Sequence, residues 1–342
     1  MKPITMIGLF LALLSTWSFD ALAQRKTDVV TLYNGDRITG EIKGLHGGII
    51  SFSTDAMGTL DIEWQEVSHL ESEFYYEVRL SAGQRHFGSI KKSELPGQFL
   101  LTDLDGEHKM EWLKVVEMRP IEKTFIERLE LYFAAGFSYT RASSVAQTTI
   151  NTTIDYENEK SRNSIIGRTT ITDAEDENTS STRLDLNRAV WTNRRNVFRA
   201  LFVNYETNDE LALDYRVGAG SGLGRYFIDT HKNRLYGIAG LQVITEESKN
   251  TGRDQDIELY LSSRFEAWRF DTPKLNLDFG LRIYPSLTDS GRIRSSSDLR
   301  LRWELIKDLF FDINAYGSYD NRSESNNGID YGVATGLGWD FN

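Results

Sequence analysis

The 342 residues carry a net charge of −11, with 27 glycines, 15 tyrosines and 18 phenylalanines, but 5 prolines and no cysteine. The acidic balance argues against nucleic acid as a partner, and without cysteine the chain is held by packing and hydrogen bonding, not by disulfides. Its length allows two domains of ordinary size.

The chain opens with Lys2 and an apolar run over residues 4–14 that is interrupted by Thr5 and Gly8; Ala21-Leu22-Ala23 then precedes Gln24. A positive start, a short apolar core and a small-x-small site predict a signal peptide over residues 1–23, cleaved between Ala23 and Gln24. The apolar core is too short for a spanning helix, which needs about 20 residues, and no later stretch approaches that length. No cysteine follows Ala23, so a lipid-anchored mature N-terminus is not expected.

Residues 24–122 repeat themselves. A shift of 48 positions, without a gap, places Leu32 on Leu80, Gly35 on Gly83, Arg37 on Arg85, Gly40 on Gly88 and Ile42 on Ile90. The same shift places Thr54 on Thr102, Gly58 on Gly106, Glu63-Trp64 on Glu111-Trp112 and Val67 on Val115. Each copy reads as short strands joined by turns. Residues 30–32 lead into Asn34-Gly35-Asp36, where Asn-Gly favours a hairpin because it readily takes positive φ. Residues 39–43, 49–54 and 60–64 continue as strands, and Ile62-Glu63-Trp64 alternates as a half-buried strand does. The copies, about 28–72 and 76–120, resemble small Sm-like or SH3-like barrels. One copy alone buries little surface, so the two are expected to pack as one unit. Such a unit is either a binding module for a periplasmic protein or cell-wall partner, or a collar beneath a membrane barrel; no residue of its strands decides between them.

From Phe125 onward the pattern becomes long alternation. Ile329, Tyr331, Val333, Thr335, Leu337, Trp339 and Phe341 share one face of the last strand, while Asp330, Gly332, Ala334, Gly336, Gly338 and Asp340 share the other. A membrane strand of about 9–11 tilted residues, apolar toward lipid and small or polar toward the lumen, has this form. Similar segments predict an all-β region, a transmembrane antiparallel barrel of about twelve strands over residues 123–342. The connections at 160–161, 229–233, 271–274 and 306–308 read as short periplasmic turns. Those at 173–181, 246–256 and 320–328 read as longer polar loops on the outside. Tyr139, Tyr205, Tyr319 and Tyr331 at one end and Trp303 and Trp339 at the other are placed as two aromatic girdles. Outer-membrane lipid and lipopolysaccharide are the surroundings this predicts.

The run from Tyr215 through Gly218, Gly220, Gly222, Gly224 and Tyr226 to Thr230 resembles the central segment of the family called domain of unknown function 481. That resemblance covers roughly residues 124–342. Members of the family carry the name salt-induced outer membrane protein, which implies location and topology but no chemistry. Gly336-x-x-Trp339-x-Phe341 is similar to the C-terminal signal read by the barrel-assembly machinery, departing from it in that Asn342 follows the aromatic residue.

The glycines at 218, 220, 222 and 224 keep a period of two, whereas a dinucleotide fingerprint needs G-x-G-x-x-G opening a helix, so they read as small lumen-facing residues. Of the five histidines, His46, His69, His86 and His108 lie in the duplicated region and His231 in a turn. None is placed as a general base at the cell surface. No metal-spaced His/Cys set exists, no cofactor is expected, and an enzyme is disfavoured. Arg216, Arg264, Arg282, Arg294, Arg300 and Arg302 share inward parity with Glu266, Asp278, Asp298, Glu304, Asp312 and Asp330. Such charges must be paired or hydrated. Paired, they plug a narrow barrel, the mark of a structural or interaction protein; hydrated, they line a small-solute channel. The acidic run Asp173, Glu175, Asp176 and Glu177 reads as a solvated loop more readily than as a divalent-cation site bridging lipopolysaccharide.

Overall fold

The computed structural model describes residues 27–104, 106–121, 125–126, 128–140, 145–158, 160–174, 178–192, 196–209, 213–248, 252–271, 273–306, 309–322 and 328–339. The expected signal peptide with Ala23 and Gln24, the acidic residues Glu175, Asp176 and Glu177, and Phe341 lie outside them. The described elements are strands and two single 3-10 turns.

The first nine strands are β1 (Asp28–Leu32), β2 (Arg37–His46), β3 (Ile49–Thr54), β4 (Gly58–Glu63), β5 (Val67–Leu80), β6 (Arg85–Lys92), β7 (Gln98–Thr102), β8 (Glu107–Glu111) and β9 (Val115–Pro120). The 3-10 turns Trp64–Glu66 and Trp112–Lys114 follow β4 and β8. The two copies therefore share one element order. β5 is long because its first half, paired with β1, closes the first copy, while its second half, paired with β6 and β9, opens the second. Alternation puts one row of each strand inward, and Val30, Ile42, Ile50, Phe52, Val78, Phe99, Leu101 and Met118 form a continuous buried core.

The copies meet through equivalent residues. Trp64 and Trp112, one period apart, stand edge to face with ring centroids 4.2 Å apart, and the Trp64 Nε1–H donates to the Trp112 carbonyl at 3.1 Å. Tyr76 Oη donates to Asp28 Oδ2 at 3.0 Å across the same 48-residue interval. Burial pushes the Asp28 carboxyl above its ordinary range, although donors from Ile42, Ser72 and Tyr76 offset part of that rise.

Twelve further strands form one antiparallel meander: β10 (Leu129–Thr140), β11 (Val145–Glu157), β12 (Ser161–Asp173), β13 (Asn178–Trp191), β14 (Val197–Asn208), β15 (Leu213–Asp229), β16 (Asn233–Ser248), β17 (Gly252–Arg269), β18 (Leu275–Pro285), β19 (Ile293–Ile306), β20 (Leu309–Asp320) and β21 (Ile329–Trp339). This is the expected twelve-stranded barrel wall. It curls far enough for Arg216 on β15 to lie 3.9 Å from Asp320 on β20. Among the described residues no ladder joins β10 to β21, and these two strands are exposed along most of their length. The wall has a seam there.

Two expectations about connections are corrected. The run 246–256 is mostly paired hairpin, with Ser248 opposite Gly252, and Asp173 pairs with Asn178. Backbone pairing is indifferent to side-chain polarity, and the polar residues that suggested loops find partners inside the wall: Glu246 meets Arg216 at 2.7 Å and Arg292 at 2.8 Å.

The glycines of β15 face inward, as their period requires. A Cβ at Gly220 would stand 2.5 Å from the Phe202 ring, and one at Gly222 would stand 2.6 Å from the Ala239 carbonyl oxygen. They are seats for neighbouring rings and backbone, a use of strand glycine that close approach explains.

Trp64 is 1% exposed and Trp112 5%. Trp64→Ala and Trp112→Ala should each lower the unfolding free energy of the duplicated domain by about 3–5 kcal/mol, the usual cost of emptying a buried aromatic site. Native-state hydrogen exchange on the full chain checks this; unchanged protection of β5 and β9 in both variants would contradict it.

Candidate functional site

On β5, Glu77 and Arg79 flank the core residue Val78; on β9, Glu117 and Arg119 flank the core residue Met118. The antiparallel register sets Glu77 opposite Arg119 and Arg79 opposite Glu117. One face of this ladder is thus a checkerboard of charge while the other is core. It docks against the short-turn end of the barrel.

There two hairpins carry opposite-charge pairs beside their turns, Glu157 with Arg162 and Asp229 with Arg234, and Arg234 also faces Glu266 across the β16–β17 ladder. A bulge between Tyr226 and Ile228 turns Asp229 inward. Arg79 pairs with Asp229, and its Nε donates to Glu117 at 3.1 Å. Arg162 reaches Glu117 at 2.8 Å, Arg234 stands 3.8 Å from it, and Arg119 meets Glu157 at 3.0 Å. Arg79 also lies over the Tyr226 ring and Arg85 over the Trp191 ring. Arg79 and Asp229 are almost wholly buried. Burial alone would raise the Glu117 carboxyl, but Arg79, Arg162 and Arg234 override it and hold the group well below the carboxylate range.

Backbone fits the same contact. Gly83, at φ +75°, sits so close to Asn196 in the β13–β14 turn that a Cβ would be 2.7 Å from the Asn196 nitrogen. Gly48 packs on the His231 carbonyl and the Phe270 ring, and Gly47 on Trp268. Gln65 donates to Asp271 at 3.2 Å.

Above this mouth the lumen is filled in layers. Phe198 and Tyr226 have ring centroids 5.5 Å apart, Tyr226 and Tyr236 5.4 Å, Phe202 and Tyr260 4.3 Å, and Tyr260 and Tyr284 5.6 Å. The lumen charges expected from parity are interleaved with these rings. Arg264 pairs with Asp278 and lies 4.0 Å from Asp298, which Arg282 meets at 3.5 Å. Arg294 holds Glu258 at 2.6 Å and stacks over Tyr284 at 4.9 Å. Arg216 holds Glu246 at 2.7 Å.

A family model described as Protein of unknown function, DUF481, matches residues 133–341. The chain belongs to the DUF481 family. The match begins inside β10 and takes in the barrel wall of this DUF481 chain, but not the duplicated domain that docks beneath it. No curated protein and no solved structure matches the chain.

Three more of the expected lumen residues have unlike surroundings. Arg300 is exposed and has no ion pair among the described residues, although Asp278 is its neighbour in the ladder. Arg302 lies over the Phe310 ring at 4.2 Å, with Asp312 4.0 Å away. Glu304, 1% exposed, accepts the Lys274 N–H at 2.8 Å and so fastens the β17–β18 turn. Gly336 and Trp339 lie on β21, and Trp339 is half exposed. Sequence reasoning missed Glu77, Arg79, Glu117 and Arg119 altogether, along with Glu246, Glu258, Arg292 and Asp320. A signal for the first four was present: their equivalents in the first copy are Val29, Thr31, His69 and Glu71, so the second copy alone carries the checkerboard.

Three outcomes follow from this geometry. Gly35 and Gly83 occupy the same turn of the two copies with positive φ, but nothing lies within 4 Å of a Cβ at Gly35. Gly35→Ala should show only backbone strain, about 1–2 kcal/mol, whereas Gly83→Ala should also expose the docking face to proteolysis; equal effects would contradict the contact. The depressed Glu117 carboxyl means that docking strength is fully present above the ordinary carboxylate pKa and is lost only as pH falls below it. Exchange protection of β9 should therefore persist at mildly acidic pH and collapse in strong acid. Glu117→Gln should loosen docking at neutral pH by about 3–5 kcal/mol, because it strands buried arginines.

Proposed function

We propose that this chain is an outer-membrane β-barrel closed from the periplasmic side by its own duplicated domain. On this reading it is a structural or interaction protein of the cell envelope, not an enzyme. The observation that carries the reading is the docked charge network: Arg79, Glu117, Arg162, Asp229 and Arg234 occupy the barrel mouth where a channel would need water.

Membrane residence is supported by the outward row. Leu131, Phe133, Leu201, Val203, Leu241, Val243, Phe279, Val333 and Leu337 are exposed on the wall, far more contiguous apolar surface than a soluble sheet carries. Lipid contact is the setting that makes such a surface stable. Hydrocarbon offers no partner to the free backbone groups of β10 and β21, so in a bilayer that seam must be closed by strand pairing. Residues 1–23 would direct export, and the barrel-assembly machinery would insert the wall after reading Gly336, Trp339 and Phe341. The duplicated domain would then lie in the periplasm, where a protein or the cell wall is its partner.

The competing reading is a small-solute channel with this domain as a collar, and conductance separates the two. The purified wild-type protein in planar bilayers should show little or no steady current. Arg79→Ala combined with Glu117→Ala should raise it, since loss of both plug charges leaves Asp229, Arg162 and Arg234 to be hydrated. Steady wild-type conductance that the double variant leaves unchanged would overturn the closed barrel.

A further inference from the structure

The lumen ends, at the side away from the duplicated domain, in a cavity of about 430 Å³. It opens between the hairpin tip at Ser248 and Gly252 and the β20–β21 connection at Arg322 and Gly328. Its wall is a chain of alternating charge: Arg216 holds Glu246, Arg292 bridges Glu246 at 2.8 Å and Asp320 at 2.9 Å, and the Arg292 Nε also donates to Asp320. Its floor is Gln242, which is 2% exposed, beside the pair formed by Arg294 and the fully buried Glu258. Gln242 Nε2 donates to Glu258, but its carbonyl oxygen is buried without a donor.

These features select a ligand class. The arginines and carboxylates along the wall and floor already neutralise one another, so neither an anion nor a cation would find an uncompensated partner. What the site offers is planar groups that both donate and accept: guanidinium forks with spare N–H, carboxylate oxygens with spare lone pairs, and one orphaned amide carbonyl. A hydroxyl donates and accepts through the same oxygen, so a molecule with adjacent hydroxyls meets all three. The volume lies within the range of about 300–1,000 Å³ usual for small-molecule sites and accommodates a mono- or disaccharide. We propose that this cavity is a saccharide-binding site, in which a sugar hydroxyl donates to Gln242 Oε1 and its neighbours bridge the Arg216, Glu246 and Arg292 chain.

Isothermal titration calorimetry on the full-length protein in detergent tests this, and it does so whether or not the barrel conducts. The probes are glucose, maltose, sucrose and a lipopolysaccharide core oligosaccharide, with inorganic phosphate as the anionic control and choline as the cationic one. Saturable binding of at least one saccharide, with neither control binding, is expected; a free sugar or the core oligosaccharide as the better ligand identifies the source. Gln242→Leu should weaken that binding at least tenfold, and Ser248→Trp, at the cavity mouth, should block it. Heat-modifiable gel mobility verifies that both variants keep a folded barrel; if Gln242→Leu does not fold, Ser248→Trp alone decides. Binding of phosphate or choline, no binding by any saccharide, or saccharide binding that survives Ser248→Trp would overturn the proposal.

Discussion

The structure depends on one constraint: Arg79 and Asp229 lose their water together or not at all. Each is buried, and each comes from a different part of the chain, 150 residues apart. A lone charge in such a place costs several kcal/mol, and only the partner's geometry recovers it. Neither the β5–β9 face nor the barrel mouth is therefore a finished surface. The hairpins that begin at Arg162 and Arg234 supply half of the pairing and the duplicated domain supplies the rest. The bulge at Tyr226 and Ile228 belongs to the same constraint, because without it the pleat would turn Asp229 toward the outside of the wall.

Above that contact, side chains fill the lumen. Rings of Phe198, Phe202, Tyr226, Tyr236, Tyr260 and Tyr284 fill the space that water would take, and glycines on β15 leave room for them. Arginines lie between the rings with both a carboxylate and an aromatic face at hand, as Arg294 does with Glu258 and Tyr284. This combination satisfies guanidinium donors and covers its flat faces with apolar surface at once. Close to the far rim the rings stop, and the charged side chains surround a cavity.

The fold was legible because its signals are periodic. The 48-residue repeat announced itself in Trp64 and Trp112, and the alternating rows announced the twelve-stranded wall. The partners were harder to read, because parity tells which face a side chain takes but not which strand lies across the lumen. Asp320 was read as loop, yet it lies beside Arg292; Arg300, which parity left either paired or hydrated, is exposed, and its ladder neighbour Asp278 is taken by Arg264. The docking face left only a faint mark, the difference between the two copies, for a further reason. A charged row on a small strand looks like any solvated face until the barrel hairpins that cover it are known.

The difference between the copies follows from their different neighbours. The two copies pack about their equivalent tryptophans, but only the second lays its β5–β9 face on the barrel mouth. Equivalent positions must then face unlike neighbours: Gly83 sits on Asn196 while Gly35 faces open space. The first copy touches the barrel instead through the β2–β3 turn at Gly47 and Gly48 and through Gln65. Core positions, which see only the other copy, are free to stay alike, and Trp64 and Trp112 do. Surface positions answer to the mouth, so Thr31 and His69 stand where the second copy has Arg79 and Glu117. Keeping the core alike while changing one face lets the duplicated domain meet the barrel in one orientation.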